Sequence, residues 1–157
     1  MQIRVATSGD ASLIASVLDE AFTEYKASYT PEAFAATAIT SEQALSRMSE
    51  GPVWVALHND AIVGTASAVS RGKALYIRGM AILPTARGQG IGEALLEHIE
   101  SFAREQGCER LFLSTTPFLT RAIRLYEHFG FRRGDGGSQD LFGTPLFTMV
   151  KILSEVD

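Results

Sequence analysis

Residues 80–92 read Met-Ala-Ile-Leu-Pro-Thr-Ala-Arg-Gly-Gln-Gly-Ile-Gly, and this stretch constrains the fold more than any other. An apolar, strand-like run stops at Pro84, and Gly88, Gly90 and Gly92 follow at alternate positions. From Ile91 the apolar residues Ala94, Leu95, Ile99 and Phe102 recur at helical spacing. The period changes from two to about 3.6 across the glycines, so a strand turns into a helix there. Bare backbone at a helix start leaves successive N–H groups uncovered beside the positive end of the helix dipole, a nest suited to a pyrophosphate. A plain tight turn would need only one such glycine. Two other phosphate-binding patterns fail on spacing. A dinucleotide GxGxxG requires glycine at 93, where Glu93 stands, and a GxxxxGK[ST] loop requires a lysine and a hydroxyl after Gly92, where Glu93 and Ala94 follow.

The flanking sequence supplies alternating strands and helices. Residues 2–6 alternate like a strand, with Ser8, Gly9 and Asp10 as turn and helix cap. Leu13, Ile14, Val17, Leu18, Ala21, Phe22 and Tyr25 predict an amphipathic helix over 11–26, and shorter helical pieces follow from Pro31 to about residue 49. Two strands joined at Asn59-Asp60 and a third over 74–83 make an antiparallel meander. After the helix at Ile91 come a strand at 110–115, a helix over 118–129 carrying Ala122, Leu125, Tyr126 and Phe129 on one face, and two closing strands around the polar stretch 134–139. The expected fold is a single α/β (α+β) domain over residues 1–157, with a mixed, mostly antiparallel sheet of about seven strands and about four helices.

Charge and cysteine content narrow the function classes. The net charge is −4 with basic residues dispersed, which argues against a nucleic-acid partner. No apolar run approaches bilayer length and the N-terminus lacks a signal-peptide core, so no membrane association and a cytoplasmic location are expected. The single cysteine, Cys108, forms no internal disulfide, and no Cys/His spacing suggests a metal site. His58, His98 and His128 lack triad partners in sequence, and Trp54 reads as sheet core.

Residues 80–96, MAILPTARGQGIGEALL, resemble the acetyl-CoA-binding signature of the GNAT superfamily of N-acetyltransferases, with Arg87-Gly88-Gln89-Gly90-Ile91-Gly92 matching its Arg/Gln-x-x-Gly-x-Gly/Ala pattern. A second match, RAIRLYEHFGF at 121–131, resembles the family's Ala-x-x-Leu-Tyr-Glu-x-x-Gly-Phe segment. The order of elements is similar over essentially the whole chain. The resemblance implies that the amides of Gly88, Gln89, Gly90, Ile91 and Gly92 hold the pyrophosphate of acetyl-CoA, with Arg87 adding charge. It implies that Met80, Ala81 and Ile82 pair with the pantetheine arm.

The same resemblance implies a general acid in Tyr126 for the departing thiolate, although helical spacing alone makes Tyr126 a core residue. The base is open. Relatives often carry Glu on the strand before the loop, whereas here residues 73–83 contain no carboxylate and have Arg78. Glu24, or Glu20, late in the first helix, is the candidate. Many relatives also place Asn where this chain has Leu119, leaving Thr115, Thr116 or Thr120 for that hydrogen bond, and Arg124 is a candidate for CoA phosphates. The loop 135–140 is a candidate lining of the acceptor site. The expected activity is direct acetyl transfer to a primary amine of an unassigned acceptor, with a homodimer allowed. The alternative is an acyl-CoA-binding sensor without turnover.

Overall fold

The computed structural model describes residues 1–134 and 139–153. Strand β1 (Gln2–Val5) pairs antiparallel with β2 (Val53–His58), β2 with β3 (Ala61–Arg71), and β3 with β4 (Ala74–Ile82). Asn59 and Asp60 take positive φ of 52° and 65°, the turn that keeps the β2–β3 hairpin matched to strand twist. Helix α4 (Ile91–Glu105) crosses to β5 (Arg110–Thr115), which runs parallel to β4. The last strand, β8 (Thr144–Ile152), lies between β5 and the short β6 (Arg132–Arg133), so the sheet order is β1-β2-β3-β4-β5-β8-β6. The expected mixed, mostly antiparallel sheet is present.

Element counts exceed the expectation by one each among the described residues. The eighth strand, β7 (Gln139–Leu141), is three residues long and hairpins onto β8 through Phe142-Gly143. The fifth helix arises because residues 31–50 form two, α2 (Pro31–Thr37) and α3 (Ser41–Glu50), each started by its own threonine. Thr30 Oγ1 accepts from the Ala33 amide, and Thr40 and Gln43 form a reciprocal capping box. Helix α1 (Ala11–Phe22) is shorter than the apolar pattern suggested, and Thr23–Ser28 tightens into 3₁₀ turns. The Thr23 hydroxyl donates to Asp19 O at that joint. Helix α5 spans Thr120–His128.

Strand alternation sends side chains to two cores. Trp54, Leu75, Ile77 and Leu111 pack with Leu95, Ile99 and Phe131 on the α4/α5 face, while Val53, Val55 and Ala81 meet Ile14, Leu18 and Ala44 on the α1/α3 face. Trp54 is 2% exposed and stands edge-on to Phe102, as sheet core. None of the described helices is long and apolar enough to cross a membrane.

The feature that makes a site is a gap in this sheet. β4 and β5 pair only from Ala74–Tyr76 to Arg110–Phe112. Beyond Tyr76, β4 keeps its β3 partner up to Ile82, but among the described residues its other edge has no strand beside it. The two halves of the sheet therefore splay apart, leaving unpaired backbone groups that a ligand can meet.

Candidate active site

The glycine stretch lies at the mouth of this gap. Pro84–Ala86 make one 3₁₀ turn, and Gly90, with φ of 79°, is the residue preceding α4. That left-handed backbone is cheap only for glycine. The Ala94 amide donates back to Gly90 O, and no described group accepts from the amides of Gly88 through Glu93. Six free donors at the positive end of a fifteen-residue helix form a strong anion site. Gly92 has a different reason. A Cβ there would stand 2.6 Å from Leu125 Cδ2 and 3.1 Å from Ile82 Cδ1, so its bareness lets α4 pack closely on α5 and β4.

From the loop a cleft of about 640 Å³ follows the splay inward. Met80, Ala81 and Ile82 line one wall, and Gly88, Gly90, Ile91 and Gly92 line its mouth. Thr115 and Thr116, both buried at the end of β5, line the opposite wall with Leu119. Among the described residues, buried Thr116 Oγ1 has no hydrogen-bond partner at close range, and the Tyr29 hydroxyl is a polar group in the cleft that interacts with it.

Tyr126 reaches the cleft from α5 and is also packed, 8% exposed with its ring 5.8 Å from that of Phe131. Burial, with a smaller contribution from Tyr29, pushes its hydroxyl up to about 12. Tyr29, against Phe118 across the same space, is raised as well, again chiefly by burial, with the Thr116 and Thr37 hydroxyls pulling it the other way. Both phenols stay protonated near neutral pH.

The remaining candidates are placed less centrally. Arg87 lines the cleft, but its Nη1 is 2.7 Å from Glu24 Oε1 and its Nη2 donates to Ala21 O. Glu24 is thus engaged in tying the 3₁₀ segment to the loop, and Glu20 accepts from Ser16 on α1. Gln89 is exposed, so only its backbone faces the site. Arg124 is exposed and off the cleft, whereas Arg121 lines it. At 3.6 residues per turn, position 124 lies nearly opposite Ala122 and Tyr126, the residues that face inward. Residues 135–138 of the candidate acceptor loop lie outside the described residues, while Gln139 and Asp140 begin β7.

The cleft also contains residues that sequence patterns did not single out. Tyr29 and Tyr76 line its inner end, as does Arg47 of α3. A signal for Arg47 existed: it sits between Ala44 and Met48 on the apolar face of α3, where a charge is unexpected. At the outer side, the Thr30 amide donates to Thr144 Oγ1 and its hydroxyl donates to Phe142 O, docking the β7–β8 turn onto α2.

Solved acetyltransferases share this architecture. A ribosomal-protein-alanine N-acetyltransferase from Brucella melitensis is 25% identical, covering 98% of this chain and 100% of its own, with a TM-score of 0.78. The PaiA N-acetyltransferase from Thermoplasma acidophilum, in complex with coenzyme A, is 18% identical with a TM-score of 0.82, covering 98% and 100%. The class is therefore the acetyltransferase fold. The acetyltransferase (GNAT) family matches residues 14–131, and the chain belongs to it. Among curated relatives, an uncharacterized N-acetyltransferase, YjgM, of Escherichia coli is 36% identical over 86 residues, 52% of this chain and 52% of that protein. The chain spans about half the length, or less, of the first curated relatives it matches.

Proposed function

We propose that the protein is an acetyl-CoA-dependent N-acetyltransferase that passes the acetyl group directly to a primary amine. The observation that carries this reading is the run of free amides from Gly88 to Glu93 opening onto the unpaired edge of β4, in a chain of this family. The coenzyme A complex of the Thermoplasma protein, which has the same fold, supports it.

The residues present fit the co-substrate. Amides 88–93 and the α4 dipole hold its pyrophosphate, and Arg87, half-neutralised by Glu24, adds charge. The free edge of β4 between Ile77 and Ile82 pairs with the amides of the pantetheine arm in the manner of an added strand. Thr116 Oγ1, which has no close hydrogen-bond partner among the described residues, supplies a hydrogen bond at the β5 wall where Leu119 cannot.

Acetyl-CoA supplies an activated acyl carbon: one N–C bond forms, one C–S bond breaks, and the proton lost by nitrogen balances the one gained by sulfur. Tyr126 holds its proton at neutral pH and offers it to the sulfur. Complete transfer from a phenol near 12 to a thiolate near 8.5 is uphill by roughly 5 kcal/mol. Tyr126 therefore acts chiefly as a hydrogen-bond donor to developing charge, with the net proton coming from the amine. With Glu24 engaged by Arg87, that amine proton leaves through water.

The absence of a free carboxylate on β4 favours a second reading, an acyl-CoA sensor without turnover. Calorimetric titration with acetyl-CoA and CoA, followed by a thiol-release screen over amines, separates the two: binding with acceptor-dependent release supports the enzyme, binding without release the sensor. Gly90→Val tests the site itself. No atom lies within 4 Å of a Cβ there, so the damage comes from φ: a β-branched residue abandons the left-handed conformation and the nest with it. We expect CoA affinity to fall by roughly 10- to 100-fold, and unchanged affinity would overturn the assignment of this loop.

A further inference from the structure

The inner end of the cleft carries positive charge that the described residues do not balance. On β4, Thr65 pairs with Ala81 and Ser67 with Arg78, so Gly79 and Met80 together face Ala66 in a bulge. Gly79 takes φ of 63°, and a Cβ there would stand 2.5 Å from Arg47 Nη1. The bare bulge is what lets the Arg47 side chain lie across β4 beside Arg78. Both arginines line the cleft, together with Tyr25, Tyr29 and Tyr76.

One carboxylate serves the two. Glu50 pairs with Arg78, whose buried Nε has no partner among the described residues. Among the described residues Arg47 makes no ion pair, and Glu50 reaches it only at longer range; burial and the neighbouring Arg78 push its guanidinium pKa down. Among the described residues lining the cleft, Glu93 is the only acidic one, and it belongs to the first turn of α4 at the phosphate end. Arg78 and Ile82 are four strand positions apart, about 13 Å along β4, so the pyrophosphate held at the loop does not neutralise this pair.

A partly buried, uncompensated guanidinium is costly unless a ligand supplies the opposite charge. We propose that the acceptor is an amino acid, its carboxylate received by Arg47 and Arg78 while its amine points along the cleft toward Tyr126. This rests on the N-acetyltransferase reading and adds the substrate class. The net charge of the cluster, two guanidiniums against one carboxylate, matches a single carboxylate, for which the guanidinium fork is well shaped. The same charge repels polycationic amines.

The test is a thiol-release assay with acetyl-CoA over the common α-amino acids, each beside its carboxamide, and over spermidine as a cationic amine. We expect at least one amino acid to be turned over with kcat/KM roughly 10- to 100-fold above its carboxamide. In Arg47→Gln that preference should shrink to within about threefold while the KM for acetyl-CoA stays within about twofold. Equal use of acid and amide, or turnover of spermidine but no amino acid, overturns the inference and leaves the transferase standing. No release with any amine overturns both. A readout independent of activity is the melting temperature without ligand. Arg47→Met keeps the stem and removes the unbalanced charge, so it should melt at or above the wild type; a variant melting several degrees lower would show Arg47 already compensated within the fold and would also overturn the inference.

Discussion

Tyr126 is a residue on which packing and chemistry make different demands. Its ring is core, closed against Phe131, while its hydroxyl opens on the cleft. Tyr126→Phe keeps the first and deletes the second. We expect kcat to fall by roughly 10- to 100-fold with little change in acetyl-CoA affinity, because the lost hydrogen bond strengthens only as charge grows on sulfur; an unchanged kcat on a confirmed acceptor would remove Tyr126 from the chemistry. Burial also leaves a stability signature. The unfolded phenol ionises near 10 and the folded one near 12, so between these values the unfolded state releases a proton that the native state retains. Stability is full below pH 10 and declines by roughly 2–3 kcal/mol as pH rises through 12. Denaturant titrations at pH 9 and 11.5 should show a smaller loss for Tyr126→Phe than for wild type.

Among the elements, the β1–α1 junction has the clearest electrostatic lock. Asp10 accepts from Arg4 Nη1 at 2.8 Å and Nη2 at 3.2 Å, and from the Thr7 amide at 2.8 Å. It precedes α1 yet makes no side-chain cap to the helix amides; it fastens the helix start to β1 instead. Arg4 first, then the Thr7 amide, hold its carboxyl at about 2, below the usual 3.8. For a lowered pKa the stabilisation is present above 3.8 and is lost as pH falls through 2. Asp10→Asn should cost about 1–2 kcal/mol at pH 7 and flatten the acid limb between pH 4 and 2, as read by urea titration. An acid limb identical to wild type would place the lock elsewhere. The same junction shows what sequence can and cannot disclose. Asp10 was legible as a helix start because turn residues precede an apolar 3.6-period, but its partner Arg4 was not, since nothing in a strand pattern says where a side chain turns. Long periodic elements such as α4 and β5 were readable for the same local reason. β7, three residues long, was not, because its pairing with β8 rather than any pattern of its own makes it a strand. In the site, the glycine loop and Tyr126 were legible from local motifs, whereas Arg47 comes from another element and only the Gly79 bulge brings it to Arg78.

At the scale of the whole molecule, the sheet is two halves joined through a short register. β1–β4 and β5–β8 meet in three residue pairs, Ala74–Tyr76 with Arg110–Phe112, and α4 and α5 pack over the join from one face only. The cleft opens where the halves part beyond this join, lined by residues from both faces of the sheet, so its two walls are held together below their mouth and not across it. A ligand whose arm hydrogen-bonds β4 on one side and Thr116 on the other adds the missing cross-link, and it does so only in the folded state. Mass action then raises stability by about 2.7 kcal/mol at a ligand concentration a hundredfold above Kd. For a chain of 157 residues that corresponds to a rise in Tm of roughly 5–10 °C. Differential scanning calorimetry with acetyl-CoA should show this shift in the wild type and little of it in Gly90→Val at the same concentration. Because the cross-link depends on the arm, pyrophosphate alone, which can fill only the nest at α4, should stabilise much less than CoA at equal concentration. Equal stabilisation by both would mean that the ligand is held at the mouth and that the open edge of β4 takes no part in binding.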